Sequence, residues 1–381
     1  MTLAGLRLRL TQMVGRRRAA TLKAWMEGNP LVTGYVIARL SREGLVDPTA
    51  YGELVSRRFG SRLAVARHFM KTGIAAPVDF AAVRAGLDSR VTGRASVIIP
   101  TFRDSRLTLA AVEAVTATTS GSDVEVLVVD NGSPPLVALA LARGLSRHPQ
   151  ARMVRSAINR NFSGGTNLGS SLATGDTLVF LNNDTLPQPG WLPPLLSPLA
   201  DPAVRGTQPL LLFDDGTIQA AGTDFVAPDT MPIVPLAGRP AADAQIVRGL
   251  PFAVVTAACL AMRASEFAEL DGFDEAFVNG SEDIDLCLRA IERFGGAFAV
   301  EPGSVVVHLE SRTPGRFRAL DANRSLFMKR WAGRLPEPTQ RLYHALGLEI
   351  AELGSDGKQI PSPRPVLRPY LCVGLEGKLD E

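Results

Sequence analysis

The chain has 381 residues, 46% of them hydrophobic, which is enough for one large domain or two smaller ones around an ample core. Lys and Arg number 41 against 38 Asp and Glu, so the whole-chain balance says little about partners, and no nucleic acid is expected among them. The three cysteines, Cys259, Cys287 and Cys372, show no paired spacing, which excludes a zinc knuckle or disulfide framework, while the longest apolar run, residues 249–262, is shorter than the roughly 20 residues a bilayer span requires.

Residues 1–93 read as a polar, helical N-terminal region. Its basic run, with Arg7, Arg9, Arg16, Arg17, Arg18 and Lys23, suits a solvated helix face; the alternative is peripheral contact with an anionic membrane surface. It has no compact apolar stretch ahead of a small-residue cleavage site, so a cytoplasmic location is expected, with the inner face of the cell membrane as the variant of it.

At Ala95 the texture changes. The run "ASVIIPTF" predicts a buried strand, residues 106–118 a helix, and "VEVLVVDNGS" a second buried strand ending in acid and turn residues. A helix over 136–147, a strand over 151–155, a Gly-rich turn, a helix over 166–173 and the strand "TLVFLNND" follow. Continuous apolar strands alternating with helices indicate a sheet that is mainly parallel and covered on both faces, and in such sheets ligands bind at the carboxyl ends of the strands. Residues 191–241 are Pro-rich and predict loops and short strands. Beyond them come an apolar block, the turn "LDGFDEAF", a helix opening at Glu282, the strand "AFAVEPGSVVVHLE" and a last helix in "LDANRSLFMKRWAGRL". The domain layout expected is 1–93 helical, 94–335 catalytic α/β, and 336–381 a helix with a loose Pro-rich tail.

Polar side chains collect at the predicted strand ends. Asp130 closes the second strand, where a carboxylate either terminates the strand in a turn or hydrogen-bonds a nucleoside. In "NRNFSGGTNLG" the glycines Gly164, Gly165 and Gly169 permit close backbone approach, and Asn159 and Asn167 carry both donors and acceptors. The segment lacks the Gly-Lys-Ser/Thr ending of a phosphate-binding P-loop, and no Gly-X-Gly-X-X-Gly follows the first strand. "FLNNDT" sets Asp184 at a strand end beside Asn182 and Asn183; a hard divalent cation that keeps water and substrate phosphate in its shell needs only one or two protein carboxylates. His308 ends another strand, where an imidazole is either structural or the completion of a Mn²⁺ or Mg²⁺ shell.

The stretch "GSEDIDLCLR" places Glu282, Asp283 and Asp285 in a first helical turn. With Ser281 as the cap, Ile284, Cys287, Leu288 and Ile291 form the buried stripe, Glu282, Asp285 and Arg289 fall on the opposite face, and Asp283 lies at the boundary. Acids here stabilise any helix by roughly 0.3–1 kcal/mol each through the macrodipole. A carboxylate held ionised at a helix N-terminus facing a cleft can also take a proton from an incoming hydroxyl.

Taken in order, "SVIIPTF", "VEVLVVDNGS", "NRNFSGGTNLG", "FLNNDT", "LDGFDEAF", "GSEDIDLCLR" and His308 resemble the successive motifs of glycosyltransferase family 2, inverting enzymes of GT-A fold, over residues 95–311. The resemblance implies a mixed, mainly parallel sheet flanked by helices. It assigns Pro100, Thr101 and Asp130 to the nucleoside, with Asn159, Gly164, Gly165, Asn167, Asn182 and Asn183 along the nucleotide-sugar site. It also makes Asp184 and His308 the ligands of Mn²⁺ or Mg²⁺, and Asp283 the base, with Glu282 and Asp285 as rivals. Asn182 stands where the family's metal motif has its first acid, and Asn161 where many members have Gly, although Asn tolerates positive φ.

The implied reaction is inverting transfer from a nucleotide-diphosphate sugar to the hydroxyl of a glycan or lipid-linked acceptor in surface polysaccharide or glycoconjugate assembly, with a rhamnose donor as one option. A nucleotidyltransferase and a non-catalytic glycan-binding scaffold are the rival readings. Residues 43–80 resemble, more faintly, a helical leader, and Trp25 and Trp191 suit buried packing better than sugar stacking.

Overall fold

The computed structural model describes residues 73–309, 319–358 and 362–369. The basic run, Trp25, Cys372 and the greater part of the N-terminal region therefore lie outside the described residues. The strands are β1 Val91–Thr101, β2 Val124–Asn131, β3 Ala151–Ser156, β4 Gly175–Leu181, β5 Thr185–Pro187, β6 Val204–Leu212, β7 Ile218–Ala220, β8 Cys259–Arg263, β9 Ala297–His308, β10 Leu348–Ser355 and β11 Pro363–Pro369. The α-helices are α1 Phe80–Ala85, α2 Ser105–Thr118, α3 Pro135–Leu145, α4 Asn161–Ser171, α5 Leu192–Leu196, α6 Ala264–Glu269, α7 Glu282–Phe294, α8 Leu320–Trp331 and α9 Arg341–Ala345.

The main sheet runs β3-β2-β1-β4-β8-β6-β9-β5, with β7 added against β6. Its first four strands are parallel, as is the pair β6 and β9, whereas β8, β5 and β7 pair antiparallel with their neighbours. The expected mixed α/β sheet is thus present. Its apolar runs are continuous because helices cover both faces: Val97, Ile98 and Ile99 of β1 and Val126 to Val129 of β2 are all fully buried. Each such side chain contributes roughly 1.5–3 kcal/mol relative to exposure. Helix α2 starts at Asp104, whose carboxylate accepts from Leu107 N–H at 3.0 Å, and it buries Thr108, Ala111, Val112 and Val115, one face at helical spacing.

Three expectations are corrected. The Gly-rich segment is not a turn before a helix; α4 begins at Asn161, which takes the left-handed φ of 57° expected to suit Asn, and Gly164, Gly165 and Gly169 lie inside it. Those glycines bring the helix down onto the sheet: a Cβ at Gly169 would sit 2.5 Å from Cγ2 of Ile98 and 2.9 Å from Cγ2 of Val129. Gly169→Ala should therefore destabilise the protein. Overpacking of roughly 1–3 kcal/mol opposes a helix-propensity gain of at most about 1 kcal/mol. A raised denaturation midpoint would contradict that close packing.

The Pro-rich region holds a nine-residue strand, β6, at the centre of the sheet. Thr207, Gln208 and Pro209 hide it in the sequence, since a strand interior rarely takes Pro. Gln208 is fully buried and is satisfied by main chain: its Nε2 donates to the Ala220 and Pro209 carbonyls, and its Oε1 accepts from Thr256 N–H at 2.9 Å. The described part of the tail is also less loose than expected, because over residues 348–355 and 363–369 β10 and β11 pair antiparallel. Arg324 of α8 joins residues that flank the two strands, donating to Asp356 at 2.7 Å and to Ser362 Oγ at 2.8 Å.

Helix α8 packs back on the core as expected, with Phe327 and Trp331 buried. No helix among the described residues is long and apolar enough to cross a membrane. Cys259 and Cys287 are buried free thiols, both pushed up by burial from the usual thiol range.

Candidate functional site

Strand pairing carries the first polar groups to one edge. The parallel register sets Thr101 beside Asp130 and Asp130 beside Arg155. Thr101 Oγ1 lies 2.7 Å from Thr108 Oγ1, and Asn183 Nδ2 reaches Thr108 Oγ1 at 3.2 Å and Thr101 Oγ1 at 3.4 Å. The loop after β4 is thereby held against the carboxyl end of β1, where Pro100 and Thr101 stand. Asp130 is fully buried; its carboxylate pairs with Arg155 and accepts from Ser133 N–H at 3.0 Å. Ser133 Oγ in turn accepts from the main-chain N–H of Arg103, which has a left-handed φ of 64°. Asp130 therefore shapes the rim of this edge through Ser133.

Asp184 and His308, 124 positions apart in the chain (308 − 184), are brought together by the antiparallel pairing of β5 with β9, which sets Thr185 opposite His308. His308 Nε2 is 3.2 Å from Asp184 Oδ1, and the two side chains are only 5% and 9% exposed. Asn182 Nδ2 lies 3.3 Å from the same ring nitrogen, and Gln219 Oε1 is 2.5 Å from Nδ1 on the far side of the ring. Among the described residues no group of three or more His, Cys, Asp or Glu is gathered as a metal cage. A carboxylate and an imidazole at one point fit a cation that takes its remaining donors from a diphosphate and water.

Helix α7 sorts its three acids. Asp285 is fully buried, accepting from Arg330 Nη1 at 2.6 Å and Trp331 Nε1 at 3.0 Å on Oδ1, and from Arg289 Nε at 2.7 Å on Oδ2. Glu282 is buried and turned back on the main-chain N–H of Gly280. Asp283 is only half-buried; its Oδ2 accepts from Ala257 N–H at 3.1 Å and its Oδ1 from Ile284 N–H at 2.9 Å. The neighbouring Ala258 carbonyl accepts from Asn182 N–H at 2.9 Å, so the segment 256–258 links Asp283 to the loop that carries Asp184. The stripe expected for α7 is covered, with Cys287 and Leu288 buried and Ile284 and Ile291 packed against the core; the face expected to lie opposite it is corrected, since Glu282 and Asp285 are buried as well and α8 brings Arg330 and Trp331 onto Asp285. Ser281 occupies the cap position with φ 70° and makes no side-chain cap.

Other residues expected along the site are engaged within the protein. Asn167 is buried and spends its amide on the main chain of Phe273, at 2.8 and 2.9 Å, and on Glu275. A Cβ at Gly164 would meet Arg160 and Glu275, and one at Gly165 would meet Asn131 at 2.9 Å, so both glycines serve packing of α4. Asn159 Oδ1 accepts from Asn161 N–H at 2.9 Å and forms the turn into that helix. Trp191 is buried, as expected, with its Nε1 on Thr118 Oγ1 at 3.0 Å. Gln219, Arg155, Thr108 and Ser133 went unnoticed in the sequence; only a strand-end register linking β7 to His308 would have singled out Gln219, and β7 is three residues long.

A model of glycosyl transferase family 2 matches residues 96–218. An O-antigen biosynthesis protein, RfbC of Myxococcus xanthus, is 32% identical over 240 residues, 59% of this chain and 18% of that protein. The amylovoran biosynthesis glycosyltransferase AmsB of Erwinia amylovora is 24% identical over 292 residues, 75% of this chain and 93% of its own. A solved mannosyltransferase of Pyrobaculum calidifontis, in complex with GDP-Man and Mn²⁺, is similar over 77% of this chain and 79% of its own, at 19% identity and a TM-score of 0.48. The chain spans 18%, 29% and 38% of the length of the first curated relatives it matches. With most of β1, all of β2 to β4 and the turn at Asp184 inside the matched stretch, residues 96–218 are a glycosyltransferase family 2 match, and the mixed, mostly parallel sheet is the one that the resemblance implied.

Proposed function

We propose that the chain transfers a sugar from a nucleotide-diphosphate sugar to an acceptor hydroxyl with inversion, in the assembly of a surface polysaccharide or glycoconjugate. The observation that carries this reading is the gathering of Asp184, His308 and the loop linked to Asp283 at one end of the sheet, from three separate stretches of chain. The strand ends around Thr101 and Asp130 frame the nucleoside, Asn183 holds the loop beside it, and Asp184 with His308 would hold Mn²⁺ or Mg²⁺. A divalent cation bound there offsets charge that develops on the departing diphosphate.

Asp283 takes the acceptor proton as the hydroxyl oxygen forms its bond to the anomeric carbon; the bond from that carbon to the diphosphate oxygen breaks on the opposite face, and the proton ends on the Asp283 carboxyl. Of the three acids in the first turn of α7, Asp285 is closed off by two arginines and a tryptophan and Glu282 is turned to Gly280, which leaves Asp283 as the accessible one.

A panel of UDP-, GDP- and dTDP-sugars, dTDP-rhamnose included, tests the reading by release of nucleoside diphosphate with Mn²⁺ or Mg²⁺ and by thermal shift. At least one donor should be turned over and should raise the unfolding temperature, and chelation should abolish both effects. Release that persists in chelator removes the metal from the proposal. No release or shift with any donor overturns the transferase reading.

A further inference from the structure

The structure assigns Gln219 to the cation site: we propose that it is a positioning residue that aims His308 Nε2 at Asp184, an inference that rests on the metal reading of that pair given above. Gln219 makes two contacts with His308. Its Oε1 is 2.5 Å from the ring Nδ1, and its Nε2 donates to the His308 carbonyl at 3.3 Å. A carbonyl only accepts, so the second contact settles which end of the amide faces which way. The oxygen then faces Nδ1, and Nδ1 carries the hydrogen. In the neutral ring this leaves the lone pair on Nε2, pointing at the Asp184 carboxylate oxygen 3.2 Å away. Asn182 Nδ2, 3.3 Å from the same nitrogen, can donate to that lone pair when no cation is bound; a divalent cation would instead take the ring nitrogen and the carboxylate oxygen together at this buried point. A metal-binding histidine characteristically hands its other N–H to such an oxygen, and loss of that partner typically weakens metal affinity by about 10–100-fold.

The strand beneath Gln219 is pinned in a way that serves this aim. Ile218 and Ala220 are buried on either side of it. Ile218 N–H donates to the Arg239 carbonyl at 2.8 Å, its own carbonyl accepts from Gly238 N–H at 2.7 Å, and the Ala220 carbonyl accepts from Gln208. With both neighbours fixed, alternation along the strand turns the Gln219 side chain toward β9.

The test uses the full chain and paramagnetic resonance of free Mn²⁺, titrated in the presence of UDP, GDP and dTDP in turn. Gln219→Met keeps the length of the side chain and removes both hydrogen bonds. Its Mn²⁺ affinity should fall by at least about tenfold, with the unfolding temperature in chelator unchanged, while Gln219→Glu, which keeps an oxygen on Nδ1, should stay within about threefold of the parent. If Gln219→Met does not unfold cooperatively, Gln219→Ala goes through the same titration. Unaltered Mn²⁺ affinity in the Met or Ala variant overturns the assignment while leaving the metal site standing, as does an equal loss in the Glu variant, which would shift the role to the bond with the carbonyl. If the parent chain binds no Mn²⁺ with any of the three nucleotides, the metal reading itself falls and the role of Gln219 with it.

Discussion

Asp283→Asn should bind the donor as the parent does and turn it over at least about a hundredfold more slowly, the low end of what general-base assistance contributes. The substitution removes the group that receives the acceptor proton and keeps its shape. An asparagine oxygen can still accept from Ala257 N–H, the bond that ties α7 to the segment behind Asn182. The cost in stability is confined to the second bond, to Ile284 N–H, worth about 0.5–1.5 kcal/mol, and to the lost helix-terminal charge, roughly 0.3–1 kcal/mol. Donor affinity measured by thermal shift and turnover measured by nucleotide release should therefore separate. Glu282→Gln supplies the control, since that carboxylate is already engaged with Gly280. If Glu282→Gln loses turnover and Asp283→Asn does not, the base is Glu282; if both lose donor binding as well, the helix terminus is holding substrate and general-base catalysis by Asp283 is refuted.

The strands that build the site could be read in advance for a simple reason. In β1, β2 and β4 both faces are covered over the last residues before the sheet edge, so Val97 to Pro100, Val126 to Val129 and Leu178 to Leu181 are continuously apolar and the polar residue that follows marks the ligand side: Thr101, Asp130, Asn182. Asn161 was legible too, because few residues other than Gly and Asn adopt a φ of 57° easily. What stayed hidden depends on partners far along the chain. Nothing local marks Gln208 as a central-strand residue, since its amide is satisfied by Thr256, 48 positions later. The glycines of α4 suggested a ligand-facing turn; their close approach is to Ile98 and Asn131. Asp285 looked solvent-facing by helical periodicity alone, and it is Arg330 and Trp331, about 45 positions downstream, that bury it. Periodicity assigns faces to a helix, but it cannot say that a polar face will be covered by another helix bearing complementary charge.

That burial makes Asp285 the residue whose loss should cost the fold most. Asp285→Ala is expected to lower the unfolding free energy by about 3–5 kcal/mol, the range for removing one partner of a buried ion pair. Its carboxylate joins Arg289 of its own helix to Arg330 and Trp331 of α8, while Arg289 goes on to the Leu270 and Gly272 carbonyls and Arg330 to Asp274 at 2.6 Å. Removing the acid leaves two guanidinium groups and an indole N–H facing one another around a cavity. The arginine side chains are 20% and 29% exposed, so water can relieve part of the charge and the lower end of the range is the firmer expectation. Urea denaturation should show the loss as a shifted midpoint with an unchanged slope. Activity should fall only as far as the folded fraction does, provided α7 still docks, which is the reverse of the pattern for Asp283→Asn two residues earlier. A variant at 285 that unfolds at the parental midpoint yet turns over a hundredfold more slowly would mean that Asp285 acts in the chemistry, and that the hub with α8 does not hold the helix in place.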